Sequence, residues 1–362
     1  MRGMWRFADR LPVTDAAHIV TLGEGDTPVL DVSATLGARL GLASLHLKLE
    51  DRNPTASFKA RIASVAASLV RERGLAGLVG TSSGNGGAAA AAYAAAAGSR
   101  AVLFTLSDTV PMKLLEITAA GGTAYRVSGV GHDAASTTRV AQLIAGAAEY
   151  KGYYPMLTGY TFAPEAMTGV ESIAWELAEE LPGTTAVYAP VGGGGLLTGL
   201  SRGFAATSTR PRLVGVHPSG ASALPRAIEG DLSGMTGPVT TSISGLQMAV
   251  LYDPDGASEA VRSTGGHTTS VADDEVWSAQ ALLAREHGLL VEPAGAVALA
   301  GLRTDVVHGT VGHDDHVVLV VTGAGYKDAV ALERLAADAP AVATISPTEV
   351  SAALASLTEV SR

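Results

Sequence analysis

The chain contains no cysteine. That excludes disulfides, thiolate nucleophiles and cysteine-based zinc sites. It is also short of positive charge: 25 Lys and Arg stand against 35 Asp and Glu, for a net charge of −10, and Lys48 and Lys59 are the only lysines before residue 100. A nucleic-acid or anionic-membrane surface needs a basic patch, so neither is expected as a partner. Any phosphate ligand would have to be held mostly by backbone N–H groups. Long apolar runs are missing too. The Ala-rich "GGAAAAAYAAAAG", Gly86 to Gly98, is too short and small-sided to span a membrane, and "MRGMWRFADRLP" at the N-terminus lacks the apolar core of a signal peptide. A cytoplasmic protein is the expectation.

What is abundant is glycine, 43 residues, several of them clustered, in a chain of 362 residues that is 47% hydrophobic. That length implies two domains or one large α/β unit. Short β-type runs alternate with helical patterns. "LHLKLE" (Leu45 to Glu50) reads as a strand. From Lys59 the apolar positions Ile62, Val65, Ala66, Leu69 and Val70 follow helix spacing until Gly74. "LAGLVGT", "RAVLFT", "TAYRV", "AVYAP", "RLVGVH" and "HVVLVVTGAG" read as further strands. Helices are expected around Met112 to Ala119, over Pro164 to Leu181 and from Leu196. Alternating β and α elements imply parallel sheets covered by helices, which bind ligands at the carboxyl ends of their strands. The Gly and Ser clusters lie at those ends, at Thr81 to Gly87, Gly192 to Gly195 and Thr322 to Gly325.

Each cluster suggests chemistry. In "VGGGGLLTGL" four consecutive glycines precede a helix, so several N–H groups and the helix dipole converge on one anion, and a phosphate monoester suits them. A dinucleotide fits less well: Leu197 and Thr198 stand where the third glycine of G-x-G-x-x-G belongs, and His217 lies where a ribose-binding acid is wanted. "TSSGNGG" can hold a carboxylate, or simply cap a helix through Ser or Asn. Thr322 ends an apolar strand with a hydroxyl able to meet a ring nitrogen, or with an ordinary turn hydroxyl. Lys59 in "PTASFKAR" places an amine where an apolar helix begins. An amine, a phosphate nest and a carboxylate loop together suggest a pyridoxal phosphate enzyme, since partial desolvation lowers a lysine pKa and favours its bond to the cofactor aldehyde.

From Gly23 to Val330 the chain resembles the pyridoxal-phosphate enzymes of the tryptophan-synthase β family, fold type II, and looks most like threonine synthases and serine/threonine dehydratases. "GEGDTP", "LEDRNPTASFKAR", "TSSGNGG", "VGGGGL", "EPAGA" (Glu292 to Ala296) and "TGAGYKD" follow in the family's order. The resemblance implies two three-layer α/β domains. Residues 1–61 and 165–335 would form the larger, cofactor-binding one, 62–164 a smaller mobile one, and 336–362 a helical appendage. It implies that Lys59 forms the Schiff base and shuttles the proton at Cα, and that Asn85 bonds the cofactor's 3-oxygen. Gly192, Gly193, Gly194 and Gly195 would cradle the phosphate, and Thr322 would face the pyridine nitrogen. Ser82, Ser83, Gly84 and Asn85 would receive the substrate carboxylate, with Ser83 also at the position of an opposite-face base. A homodimer is expected, acting on a small amino acid with a β- or γ-leaving group, by Cα deprotonation and elimination followed by hydrolysis or nucleophile addition. The alternative is a catalytically retired member that binds the cofactor or another ligand for regulation.

The chain also departs from the group. "SFKAR" and "GGGGL" look dehydratase-like, whereas "NPT", "GEGDTP" and "TGAGYKD" look synthase-like. Phe162, Ala163 and Pro164 stand where threonine synthases carry an arginine for the substrate phosphate, which counts against O-phosphohomoserine. Gly86 replaces a histidine frequent in dehydratases. His217 and Ala223 replace acids of metal-dependent members, so no metal is expected there. His308, His313 and His316 read as a solvated turn rather than a metal site.

Overall fold

The computed structural model describes residues 2–355, apart from 83, 232, 234–237 and 338. Ten strands form where aliphatic and β-branched residues run together: β1 (Val29–Asp31), β2 (Ser44–Leu49), β3 (Gly77–Ser82), β4 (Arg100–Leu106), β5 (Thr123–Val127), β6 (Tyr153–Pro155), β7 (Ala186–Pro190), β8 (Arg212–Pro218), β9 (Thr268–Val271) and β10 (His316–Val321). They build two sheets. The larger has the order β1-β2-β10-β7-β8-β9 and the smaller β5-β4-β3-β6. Every pairing is parallel except β1 with β2, where Val29 lies opposite Lys48. A short edge strand can join antiparallel because the chain turns back on itself there without a crossover helix.

Both sheets are covered by helices on two faces, the layering expected of fold type II. Parallel strands buried on both faces read as continuous apolar runs, and His316–Val321 is buried from its second residue onward. Helix Lys59–Glu72 is the pivot of the core. Its residues 60–70 are all buried, and it packs against helix Pro164–Glu180. Gly169 permits that approach: a Cβ there would lie 2.4 Å from the Arg61 carbonyl oxygen.

Arg61 is wholly buried and has its own partners. It donates to Glu50 Oε1 at 2.7 Å and Oε2 at 2.8 Å, to Glu176 Oε1 at 2.6 Å and Oε2 at 2.8 Å, and to Ser172 Oγ at 2.8 Å. Lys48, also buried, adds a contact to Glu176 at 2.9 Å. Burial alone would raise the Glu176 pKa, but Arg61 and Lys48 hold it well below the usual carboxylate range. The network pins the first turn of the helix that carries Lys59.

The helix after the four glycines runs Gly195–Ala205, within a residue of the expected start at Leu196. One expectation needs correction. Among the described residues of the 336–362 segment, 339–346 have no regular structure, where a helical appendage is expected, and beyond Ala336 helix is confined to Pro347–Glu349 and Val350–Ala355, both exposed. An exposed short helix with no apolar face to bury gains little from packing. Asp273 and Asp274 lie inside the first turn of helix Asp273–His287, after Ala272 as the cap, and Asp273 accepts from Thr241 and Ser242. Among the described residues no helix is long and apolar enough to cross a membrane, and no three His, Asp or Glu side chains gather as a metal site.

Candidate active site

The site forms where the ends of β3, β7 and β10 meet. "PTASFKAR" is brought there by backbone pairing. Ser57 bridges Gly323, Phe58 N donates to the Thr322 carbonyl at 3.2 Å, and Ala324 N donates to the Ala56 carbonyl at 3.0 Å. On the other side of the same loop, Glu292 N donates to the Gly323 carbonyl at 3.0 Å. The loop after β10 is thus clamped between the Lys59 segment and the start of helix Pro293–His308. Lys59, Thr322 and Glu292 share one cavity as a result, with Ser82, Asn85, Gly86, Gly192, Gly193, Gly194 and Gly195. The space within the cavity and its open mouth together is about 980 Å³.

Lys59 has no ion-pair or hydrogen-bond partner among the described residues. Its Nζ lies 4.4 Å from the centre of the Phe58 ring. Desolvation pulls its pKa down to about 8, against the pull of Asp253 and Glu292 in the other direction. An amine so placed is a nucleophile and a base near neutral pH.

The glycine loop is a cradle in the strict steric sense. Gly194, at φ +89°, caps helix Gly195–Ala205. A Cβ on Gly194 would lie 3.1 Å from the Asp253 carbonyl oxygen, and one on Gly195 would lie 2.7 Å from Met167 Cε and 2.9 Å from the Thr158 carbonyl oxygen. The first N–H groups of the helix have no partner within it, and they point with its positive end toward the cavity. Gly193 O accepts from Tyr252 N at 2.9 Å and Asp253 N at 3.1 Å, which fixes the loop from behind. A phosphate fits such a cradle without a cationic side chain. Thr322 is buried and lines the same cavity. The residues present therefore fit the phosphorylated pyridine aldehyde that the resemblance implies.

The Ser82–Asn85 loop turns from β3 into helix Asn85–Ala96. Ser82 Oγ accepts from Gly84 N at 2.9 Å and Gly87 N at 2.6 Å, so its lone pairs hold the loop and its own proton remains available. Gly84 has φ +143°, a conformation that L side chains rarely adopt. Ser83 lies outside the described residues. Asn85 Nδ2 donates to Glu292 Oε1 at 2.6 Å.

Two residues were not singled out as cavity partners from the sequence. Lys113, on helix Pro111–Ala119, is wholly buried, with its Nζ 3.2 Å from Glu292 Oε2 and 3.2 Å from Ser244 Oγ. Asp253 accepts from Tyr160 N at 2.8 Å and Thr161 N at 2.9 Å, and burial raises its pKa. Both are lone charged residues in loops or helices of ordinary pattern, and only the fold brings them beside Lys59. Lys327 donates to the Thr55 carbonyl at 3.0 Å and Glu116 at 2.7 Å, and Asp328 caps the following helix, so both serve the fold.

Comparison with known proteins shows the family. The family described as "Pyridoxal-phosphate dependent enzyme" matches residues 20–323. Threonine synthase of Methanocaldococcus jannaschii is 30% identical over 338 residues, covering 90% of this chain and 81% of the relative. Threonine synthase of Methanosarcina acetivorans is 31% identical over 337 residues, covering 90% and 80%. Among solved structures, the processed form of threonine deaminase isoform 2 from Solanum lycopersicum superposes with a TM-score of 0.74 at 22% identity, covering 93% of this chain and 90% of that one, a likeness of fold. The chain belongs to the family of pyridoxal-phosphate dependent enzymes, and its cofactor is pyridoxal 5′-phosphate.

Proposed function

We propose that the protein is a carbon–oxygen lyase or a replacement synthase acting on a small amino acid with a leaving group at Cβ or Cγ. The observation that carries this is the unpartnered, desolvated Lys59 amine in a cavity that also holds a glycine phosphate cradle. The likeness to threonine synthases and a threonine deaminase supports the same reaction class.

The chemistry supplied by bound pyridoxal phosphate is electron withdrawal from the amino acid's Cα, which makes the proton there acidic and lets a substituent beyond it depart. The protein does the rest. Lys59 would anchor the cofactor through its side-chain amine. Once free, that amine would take the Cα proton, and its pKa near 8 leaves an appreciable neutral fraction at pH 7–8. Backbone N–H groups of Gly192 to Gly195 hold the phosphate. Asn85 donates to the ring oxygen, and Thr322 offers the ring nitrogen a neutral hydroxyl, which favours expulsion of a leaving group over prolonged storage of charge. Ser82, Ser83, Gly84 and Asn85 receive the substrate carboxylate, and the resemblance gives Ser83 the further role of opposite-face base. Residues 62–164 form a unit that closes over the substrate and keeps water out. The working form in this proposal is a cytoplasmic homodimer, which size-exclusion chromatography with light scattering tests.

A panel of L-serine, L-threonine, O-acetyl-L-serine and O-phospho-L-homoserine, read by cofactor absorbance and product identity, tests the reading. At least one amino acid should change the spectrum and yield either ammonia with a 2-oxo acid or a new amino acid. No change with any of them would favour the retired, ligand-binding alternative.

A further inference from the structure

In the cavity wall a chain of three polar side chains crosses from the four-stranded to the six-stranded unit, Asn85 and Glu292 lining the cavity and Lys113 behind them. Lys113 comes from the helix between β4 and β5, Glu292 from the start of helix Pro293–His308, and Asn85 from the start of helix Asn85–Ala96. Lys113 Nζ lies 3.2 Å from Glu292 Oε2, and Glu292 Oε1 accepts from Asn85 Nδ2 at 2.6 Å. Lys113 and Glu292 are buried, at 0% and 2% side-chain exposure. Two glycines exist in the forms this chain requires. A Cβ on Gly84 would lie 2.1 Å from Lys113 Cδ, and a Cβ on Gly323 would lie 2.3 Å from Glu292 Oε1 and 3.2 Å from Asn85 Nδ2.

We infer that Glu292 is a positioning residue: it fixes which end of the Asn85 amide faces the cofactor, and Lys113 holds Glu292 in place as the carboxylate. The inference rests on the proposed contact of Asn85 with the cofactor's ring oxygen. A carboxylate only accepts hydrogen bonds. Asn85 must therefore turn its nitrogen toward Glu292, because the flipped amide would set two acceptors 2.6 Å apart. The orientation comes at a cost that shows in the structure, since Asn85 Oδ1 is buried without a partner. An amide free to rotate has no reason to keep its oxygen in that position. What the orientation secures is the second Nδ2 proton, which stays available to an oxygen in the cavity. Lys113 keeps the device in one state: its Nζ, 3.2 Å from Glu292 Oε2, occupies that oxygen and leaves Oε1 facing Asn85.

In Glu292→Gln the new amide offers its oxygen to the Lys113 ammonium and its nitrogen to Asn85, so Asn85 turns over and loses the donor it presented. The test is a cycle of Glu292→Gln, Asn85→Ala and the double variant. It is read by the dissociation constant for pyridoxal 5′-phosphate and by the pH midpoint of the bound cofactor's visible absorbance, with the melting temperature of the cofactor-free protein as a fold control. We expect Glu292→Gln to raise the dissociation constant at least tenfold and to move the absorbance midpoint, and to add nothing further in the Asn85→Ala background. Should Glu292→Gln fail to fold, Glu292→Leu with Lys113→Met removes both charges together and takes its place in the cycle. Equal effects of Glu292→Gln with and without Asn85, or no effect at all, overturn the inference. If Asn85→Ala itself leaves both readouts unchanged, the assignment of Asn85 falls and the inference with it. If Asn85→Ala moves them and Glu292→Gln does not, the inference alone falls.

Discussion

Arg61→Met is the perturbation whose size the structure sets most clearly. Arg61 is wholly buried and makes two-pronged contacts with both Glu50 and Glu176. Methionine fills much of the same space but supplies no donor. Glu176 would keep Lys48 at 2.9 Å. Glu50 would keep only the Thr27 hydroxyl at 2.7 Å and the Asn53 amide at 2.8 Å, with no cation. Removing one partner of a buried ion network costs about 3–5 kcal/mol, because the other partner stays buried and uncompensated. Unfolding entropy of about 2.1 cal/mol/K per residue over 362 residues gives roughly 0.76 kcal/mol/K. The expected fall in melting temperature is therefore about 4–7 °C. Scanning calorimetry at pH 7.5, with and without cofactor, measures it. Arg61→Lys keeps the charge and loses the fork, so it should fall between the two. Because Arg61 lies one turn or less from Lys59, the cofactor-bound form should lose more stability than the free form. A melting temperature for Arg61→Met within 1 °C of the parent would refute the reasoning that this network anchors the Lys59 helix.

Other expectations follow from the same cavity. Lys59 has its pKa lowered from 10.5 to about 8, so the cofactor-free protein carries a penalty that is full below pH 8 and relieved between pH 8 and 10.5. The penalty is at most about 3 kcal/mol, an upper bound because cavity water reaches part of the side chain. Lys59→Met should accordingly be the more stable cofactor-free protein at pH 7, with the gap closing as pH rises through that window in denaturant titrations. The rate of cofactor loading, followed by stopped-flow absorbance, should rise with pH to a plateau with its midpoint near 8, where an ordinary lysine would still be rising. Gly194→Ala combines φ +89° with a Cβ 3.1 Å from the Asp253 carbonyl, and should weaken cofactor binding by about tenfold, ~1.4 kcal/mol, in a fluorescence titration. Lys59 is the one cation among the described cavity-lining residues, and Leu106, Val130 and Met248 line it as well. An amino acid carrying a phosphate should therefore be turned over far less efficiently than one with a neutral substituent, by ~100-fold or more in kcat/KM.

The sequence made the parts of the site legible and left their joints hidden. Lys59 at the head of an apolar helix, the four glycines before another, and the apolar strands before Thr322 are local patterns, and each falls where the periodicity places it. Backbone geometry explains why: glycine clusters and strand ends are written within a few residues. The Lys113–Glu292 and Arg61–Glu176 contacts join residues more than a hundred positions apart, and no local pattern encodes such a pairing. Glu292 is legible in the sequence only as the start of the "EPAGA" motif, and its grip on Asn85 needs the three-dimensional meeting of two sheets. Residues 339–346 show the opposite error: expected in a helical appendage, they are exposed and form no regular structure.

The central claim is that Lys59 is the covalent anchor of the cofactor and the base at Cα. Lys59→Ala, reconstituted with pyridoxal 5′-phosphate, tests it directly by visible absorbance and by turnover of the best amino acid of the panel. The account predicts that the lysine-bound cofactor band disappears and that turnover falls to background. A variant that kept both the band and the turnover would contradict it.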